Sequence, residues 1–165
     1  MSRPVYVQLT ANGNNIIGEP THFGPNNEYA DMIECYKFSE GSRAAIDRRT
    51  GRMHGDLQYD EIAVWKEVCK ASPLIQKAMT HNELIEGKFL FSRATYSGDG
   101  TYEQYWTVTI GGGRVASIER TSPDCREPGT ANNEMWERVG FVFENITWSH
   151  NVGSTEHTDS WSSRA

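Results

Sequence analysis

The sequence predicts a mainly β protein with a single short helix. Short runs at 5–10, 32–38, 59–68, 88–96, 102–110, 114–120 and 136–150 are rich in apolar residues, largely in alternation with polar ones. That is the two-residue period of a strand. Gly, Asn and Pro cluster between these runs, and only 72–82 carries apolar residues at helical spacing. At 165 residues the chain suits one domain with a real core. It is read as a single domain over 1–165, with a long loop at about 40–56 and a polar tail from about 151.

In the first strand Val5, Val7 and Leu9 alternate with Tyr6, Gln8 and Thr10, and Asn12-Gly13-Asn14-Asn15 supplies a turn. Gly18, Pro20, Gly24, Pro25, Asn26 and Asn27 mark a loop over 18–31. A second strand is expected at about 32–38. From Glu40 to Asp56 no apolar period exists, and between residues 43 and 52 Arg43, Arg48, Arg49 and Arg52 outnumber Asp47. So long an irregular segment in a small domain is usually functional, and its charge opposes that of the whole chain.

A third strand covers 59–68. Ser72 is expected to cap the helix and Pro73 to fit its first turn, with Leu74, Ile75, Ala78 and Met79 on the buried face and Asn82 at the end. Strands at 88–96, 102–110 and 114–120 then read as a meander with turns at Ser97-Gly98-Asp99-Gly100 and Gly111-Gly112-Gly113. Ser122 to Asn133 is a loop, Trp136 to His150 one long strand, and the tail holds an isolated Trp161.

The formal charge of −6 argues against a general nucleic-acid binder or an anionic membrane surface. No segment is long and apolar enough to span a bilayer. The first ten residues lack the features of a secretory signal, which predicts a cytoplasmic protein or export by a route that reads no such signal. Cys35, Cys69 and Cys125 are too few and too scattered for a disulfide framework.

Catalytic readings are weak. Cys35 and Cys69 sit in strand-like settings typical of inert buried thiols, and Cys125 lacks a nucleophile motif. His22, His54, His81, His150 and His157 fall at no metal-binding spacing, so neither metal nor cofactor is expected. Asp60 and Glu61 are adjacent on a strand and point to opposite faces, which leaves no acid–base pair. Neither glycine-rich turn precedes a helix, as a phosphate cradle requires. The aromatic strands holding Tyr102, Tyr105 and Trp106, and Phe141, Phe143 and Trp148, could stack bases on a small barrel. A nucleic-acid-binding β-barrel is therefore one alternative and a small hydrolase a weaker one. An acidic face of another copy would serve the basic loop better, through a head-to-tail contact that generates a ring or an open stack.

Taken in order, Ile33-Glu34-Cys35-Tyr36-Lys37-Phe38, Ile62-Ala63-Val64-Trp65-Lys66-Glu67, the helix Ser72-Pro73-Leu74-Ile75-Gln76-Lys77-Ala78, Tyr105-Trp106-Thr107-Val108-Thr109-Ile110 and Phe141 to Trp148 resemble the haemolysin-coregulated protein (Hcp) family, the tube subunits of bacterial type VI secretion. The resemblance runs from Val5 to about His157. It implies a small antiparallel β-barrel of two packed sheets with one short flanking α-helix, a structural protein rather than an enzyme. It further implies a homohexameric ring, stacking of rings into a tube inside a contractile sheath, and export without a signal peptide. Effectors in the ring lumen and a spike protein at the tube tip are the partners it implies. In the family the long loop takes part in stacking, which makes Arg48, Arg49 and Arg52 the candidates for ring-to-ring contacts.

Overall fold

The computed structural model describes residues 3–24 and 26–161. β1 (Val5–Ala11) reverses into β2 (Asn14–Ile16) through Asn12 and Gly13, both at positive φ (49° and 82°). Asn-Gly tolerates that left-handed turn, whose twist matches the strands it joins. The run at 32–38 is two short strands, β3 (Ile33–Cys35) and β4 (Lys37–Ser39). β3 pairs with β1, and β4 pairs with β7 (Ile62–Glu67). Between them the Tyr36 amide donates to the Trp65 carbonyl at 2.9 Å.

The helix α1 (Ser72–Thr80) begins one residue earlier than expected relative to its cap. Ala71 is the N-cap residue and makes no side-chain capping bond. Ser72 lies inside the first turn with its hydroxyl turned to a buried ion cluster and accepting the Cys69 amide at 3.0 Å. The buried positions are Ser72, Ile75 and Ala78, while Leu74 is 44% exposed. The helix thus packs on a narrower stripe than the apolar residues suggest. Asn82, with φ of 49°, terminates it in the left-handed conformation.

β8 (Ile85–Ala94) is followed by the 20-residue β9 (Tyr102–Thr121), then β10 (Trp136–Val142), β11 (Asn145–His150) and β12 (Thr155–Ser160). Gly111-Gly112-Gly113 is therefore not a turn, because β9 runs through it. The first half of β9 pairs with β8 and β11, and the second half with β10. The glycines lie where the strand passes between these neighbours. Gly112 has φ of 61°, and a Cβ on Gly113 would stand 2.9 Å from the Val142 carbonyl oxygen and 3.0 Å from that of Ile85. Close backbone approach and bending, not chain reversal, demand glycine here. The long strand expected at 136–150 breaks at the same level, at Phe143-Glu144, where the Glu144 amide donates to Gly111.

Ten strands form one continuous antiparallel sheet in the order β2-β1-β8-β9-β10-β7-β4, with β3 on β1, and β11 between β9 and β12. It folds about β9 into two leaves around the main core, and Tyr6, Tyr29 and Leu90 form a second, smaller buried cluster. Phe89 from one leaf meets Phe141 from the other at 6.0 Å between ring centroids, and both are fully buried. Burying each such ring contributes about 2–3 kcal/mol. The mainly β class holds, but the ladders do not close into a barrel. The hydrogen-bonded path ends at β2 and β4, and the chain crosses from one leaf's edge to the other's at Tyr36, whose amide bonds to Trp65.

Beneath α1 the core holds charges. Lys66 and Glu137 are 1% and 0% exposed and pair at 2.6 Å. The same Glu137 oxygen accepts the Ser72 hydroxyl, and its other oxygen accepts Arg120 Nε at 2.8 Å. Full satisfaction is what makes this cluster tolerable inside a core.

Candidate assembly arm and its base

The segment expected as a basic loop folds as a ribbon. β5 (Ser42–Arg43) pairs with β6 (Gln58–Tyr59), and Ile46 bridges Met53 further out. The His54 amide donates to Ala45 and the Asp47 amide to Arg52, both at 2.8 Å. At the tip the Asp47 carboxylate accepts the Arg49 amide, and Gly51 at φ of 70° completes the reversal. Arg48, Arg49 and Arg52 all lie exposed at this tip. Next to them Ile46 and Met53 are 51% and 62% exposed. The arm ends in a surface both cationic and apolar, with no core of its own.

Its base is held by aromatic side chains from the carboxy-terminal hairpin, which sequence reading missed. Tyr59 donates its hydroxyl to the Asp159 carboxylate. Its ring lies 5.3 Å from Phe143 and 5.9 Å from Trp161. Trp148 donates Nε1 to the Glu40 carboxylate at 3.2 Å and stacks on His157. Burial pushes the Glu40 carboxyl up from its ordinary value, and the Trp148 bond opposes that shift. Arg43 pairs with Asp60 at 3.0 Å, but both are exposed, so this bridge adds little. The polar tail is thus a strand, β12, in register with β11, and Trp161 is part of the arm's base. The signal was present as a lone tryptophan in polar surroundings, but the alternation that would identify a strand is absent there.

The residues weighed for catalysis do not converge. Asp60 serves the arm, whereas Glu61 accepts Ser117 and Arg138. Cys35 is fully buried and its thiol is pushed up to about 12 by burial. Cys125 is exposed in the 122–133 loop. No metal-holding group of His, Cys, Asp or Glu occurs among the described residues, and no helix there is long and apolar enough to cross a membrane. Of the aromatics considered for stacking bases, Phe141 is core, and Phe143 and Trp148 brace the arm.

Two further features are open to partners. β2 and β4 each pair on one side among the described residues. A groove of about 980 Å³ lies between the 18–31 loop and the β8–β9 turn, with Phe23, Tyr29 and Tyr102 in its wall.

Residues 6–150 match the family model described as type VI secretion system effector, Hcp. The chain is 28% identical to the major exported protein of Pseudomonas aeruginosa over 99% of this chain and 98% of that one. Among solved structures it is similar to an Hcp protein at a TM-score of 0.81 and 19% identity, covering 96% of this chain and 97% of the other. A mutant Hcp1 from E. coli EAEC 042 superposes at 0.79 with 22% identity, covering 96% and 98%. The secreted protein Hcp3 of Pseudomonas aeruginosa does so at 0.73 with 21% identity, covering 96% and 97%.

Proposed function

The chain belongs to the Hcp family of the type VI secretion system, a family of structural secreted proteins rather than enzymes, and from that membership we propose that it builds the secretion tube. Six copies form a ring, rings stack into the inner tube, and the assembly leaves the cell with effectors carried in the ring lumen. Its partners are further copies of itself, a spike protein at the tube tip, the contractile sheath and effector proteins.

The observation that carries this reading is the projecting arm. A ribbon without its own core, tipped by Arg48, Arg49, Arg52, Ile46 and Met53, is costly to expose unless another surface receives it. Open strand edges supply further pairing sites. An arm and a receiving surface that differ make a heterologous contact, which propagates as a stack. The three arginines are therefore the proposed ring-to-ring contacts.

The native mass of the purified protein, measured by light scattering at several concentrations and followed by negative-stain imaging, tests the reading. A mass of about six subunits with annular particles is expected, and a monomer at every concentration would overturn it. Arg48→Glu/Arg49→Glu/Arg52→Glu is expected to keep the ring and abolish stacked rings. Stacking as in the parent would remove the arginines from the contact.

A further inference from the structure

The groove between the 18–31 loop and the β8–β9 turn has the complementary character to the arm tip. Its wall is aromatic. Tyr29 stacks on Tyr6 at 4.0 Å between centroids, Phe23 is 51% exposed and Tyr102 is 54% exposed. Two exposed rings, Phe23 and Tyr102, beside the buried Tyr29 give the depression the aromatic composition of an interface hot spot.

Its charge is acidic. Glu28 and Glu34 line it, and a smaller depression sharing Glu34 adds Glu19 and Glu67. One cation, Arg3, also lines it over the Tyr102 ring at 3.2 Å, so the carboxylates outnumber the lining cation, and the nearby Arg93 is bonded to Glu103 at 2.9 Å. The surface thus offers apolar rings beside carboxylates, while the arm tip offers two apolar side chains beside three guanidinium groups. The matching is twofold, in apolar contact and in sign of charge.

Resting on the tube reading above, we propose that the arm tip of one copy seats in this groove of a copy in the next ring. Ile46 and Met53 meet Phe23 and Tyr102, which flank the buried Tyr29, and the arginines face Glu28, Glu34 and Glu67. The arrangement makes the 18–31 loop the acceptor for stacking, so the two contact surfaces lie in separate segments of one chain and each ring presents both.

Disulfide trapping tests it. In a Cys125→Ser parent, Ile46→Cys and Phe23→Cys are introduced singly and together, with circular dichroism and native mass establishing folding and ring formation before mild oxidation. Mixing the two single variants is expected to give a covalent dimer containing one of each, at least tenfold above either variant alone. The double variant is expected to give a covalent ladder extending past six subunits as stacked particles lengthen. A ladder closing at six would put the contact inside the ring, and a disulfide within one chain would seat the arm on its own subunit. Either result overturns the proposal, as does an intact ring with no mixed dimer, which would leave the groove to another ligand. Loss of the ring in the parent would instead overturn the tube reading itself.

As an independent measurement, Glu28→Lys rings are expected not to stack alone. They are expected to stack when mixed with rings reversed at Arg48, Arg49 and Arg52. Parent-like stacking of the Glu28→Lys protein would count against the groove.

Discussion

Replacing Lys66 by Met removes the ammonium group from the buried cluster and leaves the Glu137 carboxylate facing only the Ser72 hydroxyl and Arg120. Both members of the pair are essentially inaccessible, at 1% and 0% exposure. Removing one partner of such a pair costs about 3–5 kcal/mol, mostly because the remaining charge stays buried. In guanidinium chloride, with a slope of about 4 kcal/mol/M, the unfolding midpoint should fall by roughly 1 M.

The loss should also depend on pH. Burial alone would raise the Glu137 carboxyl, but Lys66, Ser72 and Arg120 together outweigh burial and hold it below its ordinary value. A carboxyl lowered on folding contributes stability that is present above its unfolded-state pKa of about 4.3 and is lost as pH falls through the lower folded value. Without Lys66 the carboxyl rises, so the penalty should be greatest near neutrality and shrink as acid protonates Glu137. Lys66→Met/Glu137→Leu should be more stable than Lys66→Met at pH 7, since the stranded charge is gone. Circular dichroism at fixed protein concentration and verified native mass reads all three. A penalty below about 1 kcal/mol for the single variant, or no recovery in the double one, would refute this account.

Gly113→Ala should destabilise by about 1–3 kcal/mol, because its Cβ would press on two backbone carbonyl oxygens, which belong to paired strands and must shift to admit it. Gly129→Ala meets nothing within 4 Å and should stay within about 0.5 kcal/mol of the parent, so equal effects in thermal unfolding would remove the steric argument. Trp161→Ala should loosen the arm base and speed trypsin cleavage at residues 48–52 several-fold, with the sheet otherwise intact. An unchanged cleavage rate would mean that the carboxy-terminal hairpin does not brace the arm.

Much of the fold was legible because strand period and turn residues are local properties. Val5, Val7 and Leu9 marked β1, and Asn12-Gly13 marked its turn. What escaped depended on partners distant in sequence. Three consecutive glycines look like a turn, but here Val142 and Ile85 crowd a continuing strand, a fact invisible within the local window. Ser72 looks like a cap, yet Glu137, far along the chain, claims its hydroxyl. The arm was visible from its charge and lack of period, and its arginines do lie at the tip. Its ribbon form was not visible, because two-residue strands and a single bridge leave almost no pattern. β12 carries polar residues on both faces and so shows no alternation.

The continuity of β9 bears on how a subunit transmits force. Residues 106–110 are laddered to β8 on one flank and β11 on the other, and the same uninterrupted backbone goes on to anchor β10. A pull that separates the leaves must stretch covalent chain rather than unzip a pair of independent strands. In the proposed stack, a thrust along the axis would be spread over several ladders at once. Peeling one neighbour from this strand leaves the others in place, so local damage at an edge need not spread inward. The mechanical core of the subunit is therefore the strand that its glycines allow to bend without ending.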